Sequence, residues 1–471
     1  MSADIAVIGL AVMGQNLILN MNDHGYKVLA HNRSAEKTRL FIDGPAKATN
    51  IQGVFSLAEL VENLSVPRKI LFMVKAGDAV DSLISQLIPL LSEGDILIDG
   101  GNSNFTDTSR RVSELKEQNI HFVGCGISGG EEGARFGPSI MPGGSSEAWP
   151  LIKPILQSIS AKTESGEPCC DWVGDGGAGH FVKMVHNGIE YGDMQLISES
   201  YHFMQRCLGM TNDEMHDVFK VWNTTELNSY LIEITADIFK AKEENGDYVL
   251  DTILDSAGQK GTGKWTSIHA LNLGIPLNLI TESVFARCVS ALKQQRVLAS
   301  SVYTNETDQI TESRSEWLEV LRWSLLASKI MSYAQGFMLM REASYEYKWE
   351  LNLANVALLW RGGCIIQSGF LQNIADAFNK DPQLAFLGLD AYFKKLTESA
   401  LPSWRKLAAK SIQTGLPMPC TVSALSFLDA YTCARLPANL VQAQRDYFGA
   451  HTYERIDKER GEFFHYNWLN G

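Results

Sequence analysis

Neither Cys-x-x-Cys nor His-x-x-x-His occurs anywhere in the 471 residues, so the common short frames for a zinc or dithiol site are missing. The eight cysteines (125, 169, 170, 207, 288, 364, 420 and 433) are scattered. They read as reduced, buried thiols of a cytosolic protein, not as a disulfide framework. The vicinal Cys169-Cys170 beside Pro168 reads as a loop pair. Asp251 and Asp255, one helical turn apart, read as solvent-facing, and no metal is expected. Positive charge is scarce too: 41 Lys and Arg against 54 Asp and Glu give a net charge of -13. With no long basic run, general nucleic-acid binding is excluded, and any anionic ligand has to be gripped by local groups. No uncharged apolar run approaches the length of a membrane span. A strand pattern that begins at Asp4 leaves no room for a signal peptide, so a cytoplasmic location and no membrane partner are expected.

What is present is enough apolar material for a large core, 45% of residues, in about three domains' worth of chain. The first third alternates short apolar runs (Ile5–Ile8, Lys27–His31, Ile70–Val74, Ile96–Asp99, Phe122–Gly124) with amphipathic stretches (Gln15–Asp23, Glu36–Ile42, Ala79–Leu91, Thr106–Gln118). Runs without a polar alternate suit parallel strands buried on both faces. The alternation predicts an α/β, Rossmann-type doubly wound sheet. Past the glycine-rich Asp171–Gly179 boundary, strand signals nearly vanish. Long helical patterns follow at Glu226–Lys242, Ile280–Ser300, Leu318–Tyr345 and Asn352–Asn379, predicting a large all-α domain. Gly192-Asp-Met-Gln echoes Gly336-Phe-Met-Leu, as a duplication or a chance likeness between helices. After Pro437 an aromatic C-terminal tail is too rich in anchors to be disordered and is expected to dock. The expected division is 1–177, 178–436 and 437–471.

The run Lys183-Met-Val-His-Asn-Gly-Ile-Glu-Tyr191 places an amine, an imidazole, an amide, a carboxyl and a phenol within nine residues. Read as part of a helix over Phe181–Tyr201, it puts Lys183, His186, Asn187, Glu190, Tyr191 and Met194 on one face. A solvated face with a Lys–Glu pair is the plainer account. Phe181, Val182, Met184, Val185 and Ile189 leave no clean apolar face opposite, so the pattern instead predicts a helix buried all round. Its polar face then needs a polar ligand, because unpaired burial costs several kcal/mol.

Gly9-Leu-Ala-Val-Met-Gly14 lies between the first strand and first helix with the spacing of the dinucleotide fingerprint, Ala11 taking the second glycine position. Gly9, Leu10, Ala11, Val12, Met13, Gly14 and Gln15 are therefore candidates to hold a pyrophosphate at a helix N-terminus. Asn32, Arg33 and Ser34 end the second strand where an NAD site carries an acidic residue. An amide, a guanidinium and a hydroxyl suit a 2′-phosphate, which favours NADP. In the simpler account Ser34 caps the next helix and Arg33 is solvated. Val74, Lys75, Ala76 and Asn102 end later strands, on the edge where open α/β sheets bind ligands.

Taken with Met73–Gly77, Ile98–Asn102, Gly126–Gly133, Lys260-Gly-Thr-Gly-Lys-Trp265, Thr281–Arg287 and Gln444–His451, these motifs closely resemble the 6-phosphogluconate dehydrogenase family. They span nearly the whole chain in family order. Departures are minor, such as Ser34 where Thr is also familiar. The resemblance implies an NADP-dependent, metal-independent oxidative decarboxylation of 6-phosphogluconate to ribulose 5-phosphate and CO2, in the pentose phosphate pathway. It assigns Lys183 as general base and acid, and Glu190 as the acid that protonates an enediol. These roles also suit the residue types: a buried lysine loses its proton near neutrality, and a carboxyl in a dry setting keeps its proton. Asn102, Ser128, Gly129, Gly130, His186 and Asn187 would hold the sugar acid. Tyr191, Lys260, Thr262 and Arg287 would hold its phosphate, with Lys260 and Thr262 in a glycine-rich loop. Arg445 and His451 resemble tail residues that complete the neighbouring site of a homodimer.

Taken singly, Arg287 reads as an ordinary salt-bridge partner and Lys260 as a loop lysine. Two rival functions follow. A related dehydrogenase with an unphosphorylated substrate would leave Lys260, Thr262, Arg287 and Arg445 unused. A non-catalytic NADP-binding protein would need neither Lys183 nor Glu190.

Overall fold

The computed structural model describes residues 2–303, 310 and 312–469. The chain forms two compact units, Met1–Ala424 and Leu425–Gly471.

The first unit begins with a sheet of eight strands: β1 (Ile5–Ile8), β2 (Val28–His31), β3 (Gln52–Gly53), β4 (Lys69–Phe72), β5 (Ile96–Asp99), β6 (His121–Ser128), β7 (Ser139–Gly144) and β8 (Gly174–Asp175). Their order is β3-β2-β1-β4-β5-β6-β7-β8. β7 runs antiparallel to β6, and the other pairings are parallel. Helices α1 (Val12–Asp23), α2 (Ala35–Asp43), α3 (Leu57–Glu62), α4 (Asp78–Leu87), α5 (Phe105–Lys116), α6 (Gly130–Phe136) and α7 (Trp149–Ile159) accompany it. The sheet is buried on both faces. Ile5 and Val7 join one core with Leu17, Ile18, Ile152 and Leu156, while Ala6 and Ile8 join another with Leu60, Val80, Ile84 and Leu115. Successive side chains point to opposite faces, so both must be apolar, which is why these strands read as unbroken apolar runs.

The expected Rossmann-type sheet is therefore present, with additions and shifts. The helix expected to reach Leu91 ends at Leu87 and passes into a 3-10 turn at Ile88–Leu90, where Pro89 offers no N–H. β7 went unread because Ser-Ile-Met-Pro-Gly-Gly carries proline and glycine in place of alternation. Gly143 and Gly144 tolerate the close backbone of neighbouring segments there.

The helical part comprises α8 (Ala178–Arg206), α9 (Asn212–Trp222), α10 (Tyr230–Lys240), α11 (Val249–Thr252), α12 (Thr262–Asn272), α13 (Asn278–Ala291), α14 (Lys293–Ser300), α15 (Arg314–Tyr347), α16 (Leu353–Leu359), α17 (Leu371–Lys380), α18 (Ala391–Gln413) and α19 (Pro419–Tyr431). α8 packs against β6, β7, α5, α12, α13 and α15. It is the axis around which the site is built. Two expected long helices are interrupted. Ile280–Ser300 divides at Leu292, whose ψ of 39° leaves the helical region. Asn352–Asn379 divides at Trp360–Phe370, where Gly363 adopts φ +60°, and this break returns the chain to the end of β6. The helix expected from Glu226 starts only at Tyr230, after Ser229 caps the Ile232 N–H. Among the described residues no helix is long and apolar enough to cross a membrane. Cys288 and Cys433 are exposed, against the expectation that all eight thiols are buried.

In the second unit, α20 (Ala438–Gly449) is followed by a short bridge, Tyr453 to Phe464. Asp446 collects this segment. Its carboxylate accepts from the Thr452 N–H at 3.0 Å, the Tyr466 N–H at 3.1 Å and Trp468 Nε1 at 2.8 Å. It also lies 2.9 Å from His465 Nδ1.

Candidate active site

The glycine turn comes first. Gly9 has φ +110°, and a Cβ there would lie 2.3 Å from the Met73 carbonyl oxygen. Only glycine lets β1 turn so close to the end of β4. Likewise a Cβ on Gly14 would strike the Gly9 carbonyl at 2.0 Å. α1 begins at Val12 with no side-chain cap and no acidic residue in its first turn, so its first N–H groups are left to an anion. Asn32 folds back so that its Oδ1 accepts the Leu10 N–H at 3.2 Å, and Gln15 Nε2 donates to the Leu10 carbonyl at 2.9 Å. Arg33 and Ser34 are exposed. Ser34 does occupy the N-cap position of α2, but its hydroxyl makes no cap bond there, which leaves it free for a ligand. The Val74–Ala76 segment and Gly101-Asn102 adjoin the same edge: the Val74 carbonyl lies 3.1 Å from where a Gly101 Cβ would be. Lys75 and Asn102 are exposed. These residues fit a dinucleotide: a tight turn, uncapped helix amides and, at the ribose end, polar groups without a carboxylate.

The second half of the site lies along α8. A Cβ on Gly126 would lie 2.4 Å from Lys183 Cβ, so the absence of a side chain on β6 is what lets Lys183 approach the sheet. Lys183, His186, Asn187 and Tyr191 are buried, and Glu190 keeps 23% of its side chain exposed. The Lys183 ammonium loses hydration, which pushes its pKa below the ordinary lysine value despite the opposing pull of Glu190. Its Nζ has one hydrogen-bond partner among the described residues, His186 Nδ1 at 3.4 Å. Burial and the neighbouring Lys183 hold the His186 imidazole well below its usual pKa, so it is neutral. Its Nδ1 faces Asn187 Oδ1 at 3.0 Å, which makes that nitrogen the donor. Nε2 then accepts, from Ser128 Oγ at 2.9 Å and the Cys364 thiol at 2.8 Å. Burial raises the Glu190 carboxyl against the opposing pull of Lys183, Arg287 and Lys260. Two ionisable groups on one helix face, about 10 Å apart along the axis, are thus pushed towards their uncharged forms.

Beyond Glu190, the Arg287 guanidinium stacks on the Tyr191 ring at 3.5 Å and donates to the Gly258 carbonyl at 3.1 Å. Gly263 packs on the same ring. Thr262 does not lie in a loop, as expected; it opens α12 behind Gly261 at φ +98°, with exposed Lys260 just before it. Gly129 and Gly130, at φ +115° and +61°, carry β6 into α6. The structure thus gathers Ser128, Lys183, His186, Asn187 and Glu190 on one side and Tyr191, Thr262 and Arg287 beyond, within field range of Lys260. Arg445 and His451 belong to the second unit. Both are exposed, and Arg445 Nη1 donates to Gln442 at 2.8 Å. Sequence reasoning missed Cys364. It sits 178 residues from its imidazole partner, and no local pattern announces it. It also left Asp99, within a quoted motif, without a role.

A glycine turn at the end of one strand of a parallel sheet, with a buried amine of lowered pKa packed on another strand of that sheet, defines a nicotinamide-dinucleotide dehydrogenase. The chain belongs to the 6-phosphogluconate dehydrogenase family. One family model, the NAD binding domain of 6-phosphogluconate dehydrogenase, matches residues 4–174. A second, the C-terminal domain of 6-phosphogluconate dehydrogenase, matches residues 179–468. The decarboxylating 6-phosphogluconate dehydrogenase of Aggregatibacter actinomycetemcomitans is 63% identical over 465 residues, 99% of this chain and 96% of the relative. The enzyme of that name from Homo sapiens is 58% identical over 467 residues, again 99% and 96%. The solved structure of Plasmodium falciparum 6-phosphogluconate dehydrogenase, described with its cofactor NADP+ and its substrate 6-phosphogluconate, superposes with a TM-score of 0.95. It is 43% identical and covers 99% of this chain and 100% of that one.

Proposed function

We propose that the chain catalyses the oxidative decarboxylation of 6-phospho-D-gluconate to D-ribulose 5-phosphate and CO2, reducing NADP to NADPH. The observation that carries the chemistry is Lys183: a buried amine whose pKa is lowered by desolvation, set among groups that bind a hydroxy acid. Bound at Gly9–Gln15, Asn32–Ser34, Val74–Ala76 and Asn102, NADP supplies the hydride acceptor. Neutral Lys183 takes the proton of the C3 hydroxyl as the C3 hydrogen leaves with its electron pair. The product is a ketone β to the C1 carboxylate. The Lys183 ammonium then gives its proton to the ketone oxygen, the C1–C2 bond breaks, and its electrons pass through C2 towards that oxygen. CO2 departs and an enediol remains; the ammonium is the electrophile, and no metal is needed. Glu190, whose carboxyl burial pushes towards its protonated form, protonates the enediol carbon while neutral Lys183 takes the proton of the enediol oxygen, giving the ketose, and that proton then passes from Lys183 back to Glu190. The net change is one hydride to NADP and one CO2 released, which balances.

Asn102, Ser128, Gly129, Gly130, His186 and Asn187 orient the carboxylate and hydroxyls. Neutral His186 is fixed as a donor at Nδ1 and cannot compete for the Lys183 proton. Tyr191, Lys260, Thr262 and Arg287 hold the phosphate, and Arg287 suits a bidentate grip. The working unit is a homodimer in which Arg445 and His451 of one chain enter the site of the other. Exposed Ile268, Leu271, Phe285, Val289, Val297 and Leu298 on α12–α14 supply an apolar surface suited to a second copy. The functional division is 1–177, 178–436 and 437–471, and the location is the cytoplasm.

The test is a single incubation with 6-phosphogluconate and either NADP or NAD, following reduced cofactor and released CO2 together. Equal yields of NADPH and CO2 are expected, with NADP preferred. Reduction without CO2 rejects the decarboxylation.

A further inference from the structure

The cofactor edge of the sheet is braced by a buried guanidinium that the reaction itself does not use. Arg111, on α5, is 1% exposed. Its Nε donates to Asp81 Oδ1 at 2.8 Å and its Nη2 to Asp81 Oδ2 at 3.0 Å, a fork-on-fork pair. Nη2 also donates to the Gly77 carbonyl at 3.2 Å, so Arg111 grips both the end of the Val74–Gly77 segment and the helix that follows. On its other side, Nη1 lies 3.5 Å from Asp99 Oδ2. Asp99 is fully buried, and its carboxylate builds the next loop: Oδ1 accepts the Gly101 N–H at 3.0 Å and Oδ2 the Ser103 hydroxyl at 2.6 Å. Asn102 is thereby held between two hydrogen bonds to one side chain. The Asp99 carbonyl is 3.1 Å from His180 Nε2. A carbonyl only accepts, so Nε2 carries the proton and Nδ1 accepts from the Thr108 hydroxyl at 2.7 Å. His180 belongs to α8, the helix of Lys183.

We infer that Arg111 is a positioning residue for the cofactor, clamping the loops that carry Val74–Ala76 and Asn102 into one rigid edge through Gly77, Asp81 and Asp99. The inference rests on the reading that NADP lies along this edge, and it adds a residue that touches neither cofactor nor substrate. The Arg111 guanidinium also holds the Asp81 carboxyl down at about 2, so the pair stays charged wherever the enzyme works. The link from Asp99 through His180 fixes this edge to α8.

The test compares Arg111→Met, Arg111→Lys, Ser103→Ala and Asn102→Ala. It measures the dissociation constant for NADPH by fluorescence titration, the KM for NADP, kcat, and the melting temperature. Arg111→Met should raise the NADPH constant and the KM for NADP roughly tenfold or more, Arg111→Lys should recover part of the loss, and Ser103→Ala should raise both roughly threefold to tenfold, the worth of one hydrogen bond. In these three variants kcat should stay within about twofold. Ser103→Ala, a small change, decides the matter if Arg111→Met fails to fold. A lower melting temperature with unchanged NADPH binding in the folded variants overturns the inference. So does an effect of Asn102→Ala on NADPH binding that neither Ser103→Ala nor Arg111→Met shares. If Asn102→Ala itself leaves NADPH binding unchanged, the placement of NADP at this loop fails, and the inference with it.

Discussion

Lys183 and Glu190 share one face of α8, and burial moves their pKa values towards each other. A lysine shifted down and a carboxyl shifted up, both towards working pH, suit a base and an acid. The signs are opposite. In the proposed reaction Lys183 is a base only when neutral, so activity should rise with pH as its ammonium deprotonates, and the lowered pKa brings that limb below the ordinary lysine range. Glu190, the proposed acid, serves only when protonated, so activity should fall as pH rises through its raised pKa. Glu190→Gln should therefore slow turnover by roughly 10²–10⁴-fold and remove the falling limb while the rising limb stays. Lys183→Met should cost at least as much. Lys183→Arg should cost the same, since a guanidinium does not deprotonate in this range. Isothermal titration should show the substrate still bound by both Lys183 variants. Turnover of Lys183→Arg near the wild-type rate would reject the base.

At the scale of elements, α8 in the proposed reaction joins a reacting end to an anchoring end. Arg287 on α13 stacks on Tyr191, two turns beyond Lys183, and its role is tested by a change of substrate. A charge-assisted phosphate contact is worth about 1.5–3 kcal/mol, roughly tenfold to 200-fold. Arg287→Ala should raise the KM for 6-phosphogluconate by that factor and leave kcat/KM for unphosphorylated gluconate unchanged. Equal losses on both substrates would place Arg287 elsewhere. The elements also divide what was legible. β1 and β5 could be read because burial on both faces demands unbroken apolar runs. The polar stripe of α8 could be read because 3.6-residue spacing gathers it. β7 could not, since Pro142 and Gly143 spoil any strand pattern and only the pairing with β6 holds it. The break between α16 and α17 was equally hidden. Its purpose, bringing Cys364 to His186 and the Ile365 N–H within 3.5 Å of Ser128 Oγ, exists only in three dimensions. Asp99 and Arg111 were visible as letters, but their pairing crosses the loop between β5 and α5, and no helical or strand spacing reaches across it.

At the scale of the whole molecule, the proposed homodimer requires the tail of one chain to serve the site of the other. Within the second unit, Asp446 ties the Thr452 N–H, His465 and Trp468 to α20, so Arg445 and His451 are presented on an ordered scaffold. An anion site in a chain of net charge -13 needs such local cations. If Arg445 completes the partner's site, two inactive chains should rescue each other. Consider a dimer of one Lys183→Met chain and one Arg445→Ala chain. One of its sites combines both defects. The other combines the intact Lys183 of the second chain with the intact Arg445 of the first, and is wild type. Random exchange of subunits in equal amounts makes half the dimers mixed, so activity should return to about one quarter of wild type. If the tail serves its own chain, every site keeps one defect and mixing restores nothing. The measurement is NADPH formation before and after the two variants are unfolded and refolded together, with each refolded alone as control. Co-refolded activity no greater than the mean of the two controls would reject the shared site, whatever the effect of Arg445→Ala by itself.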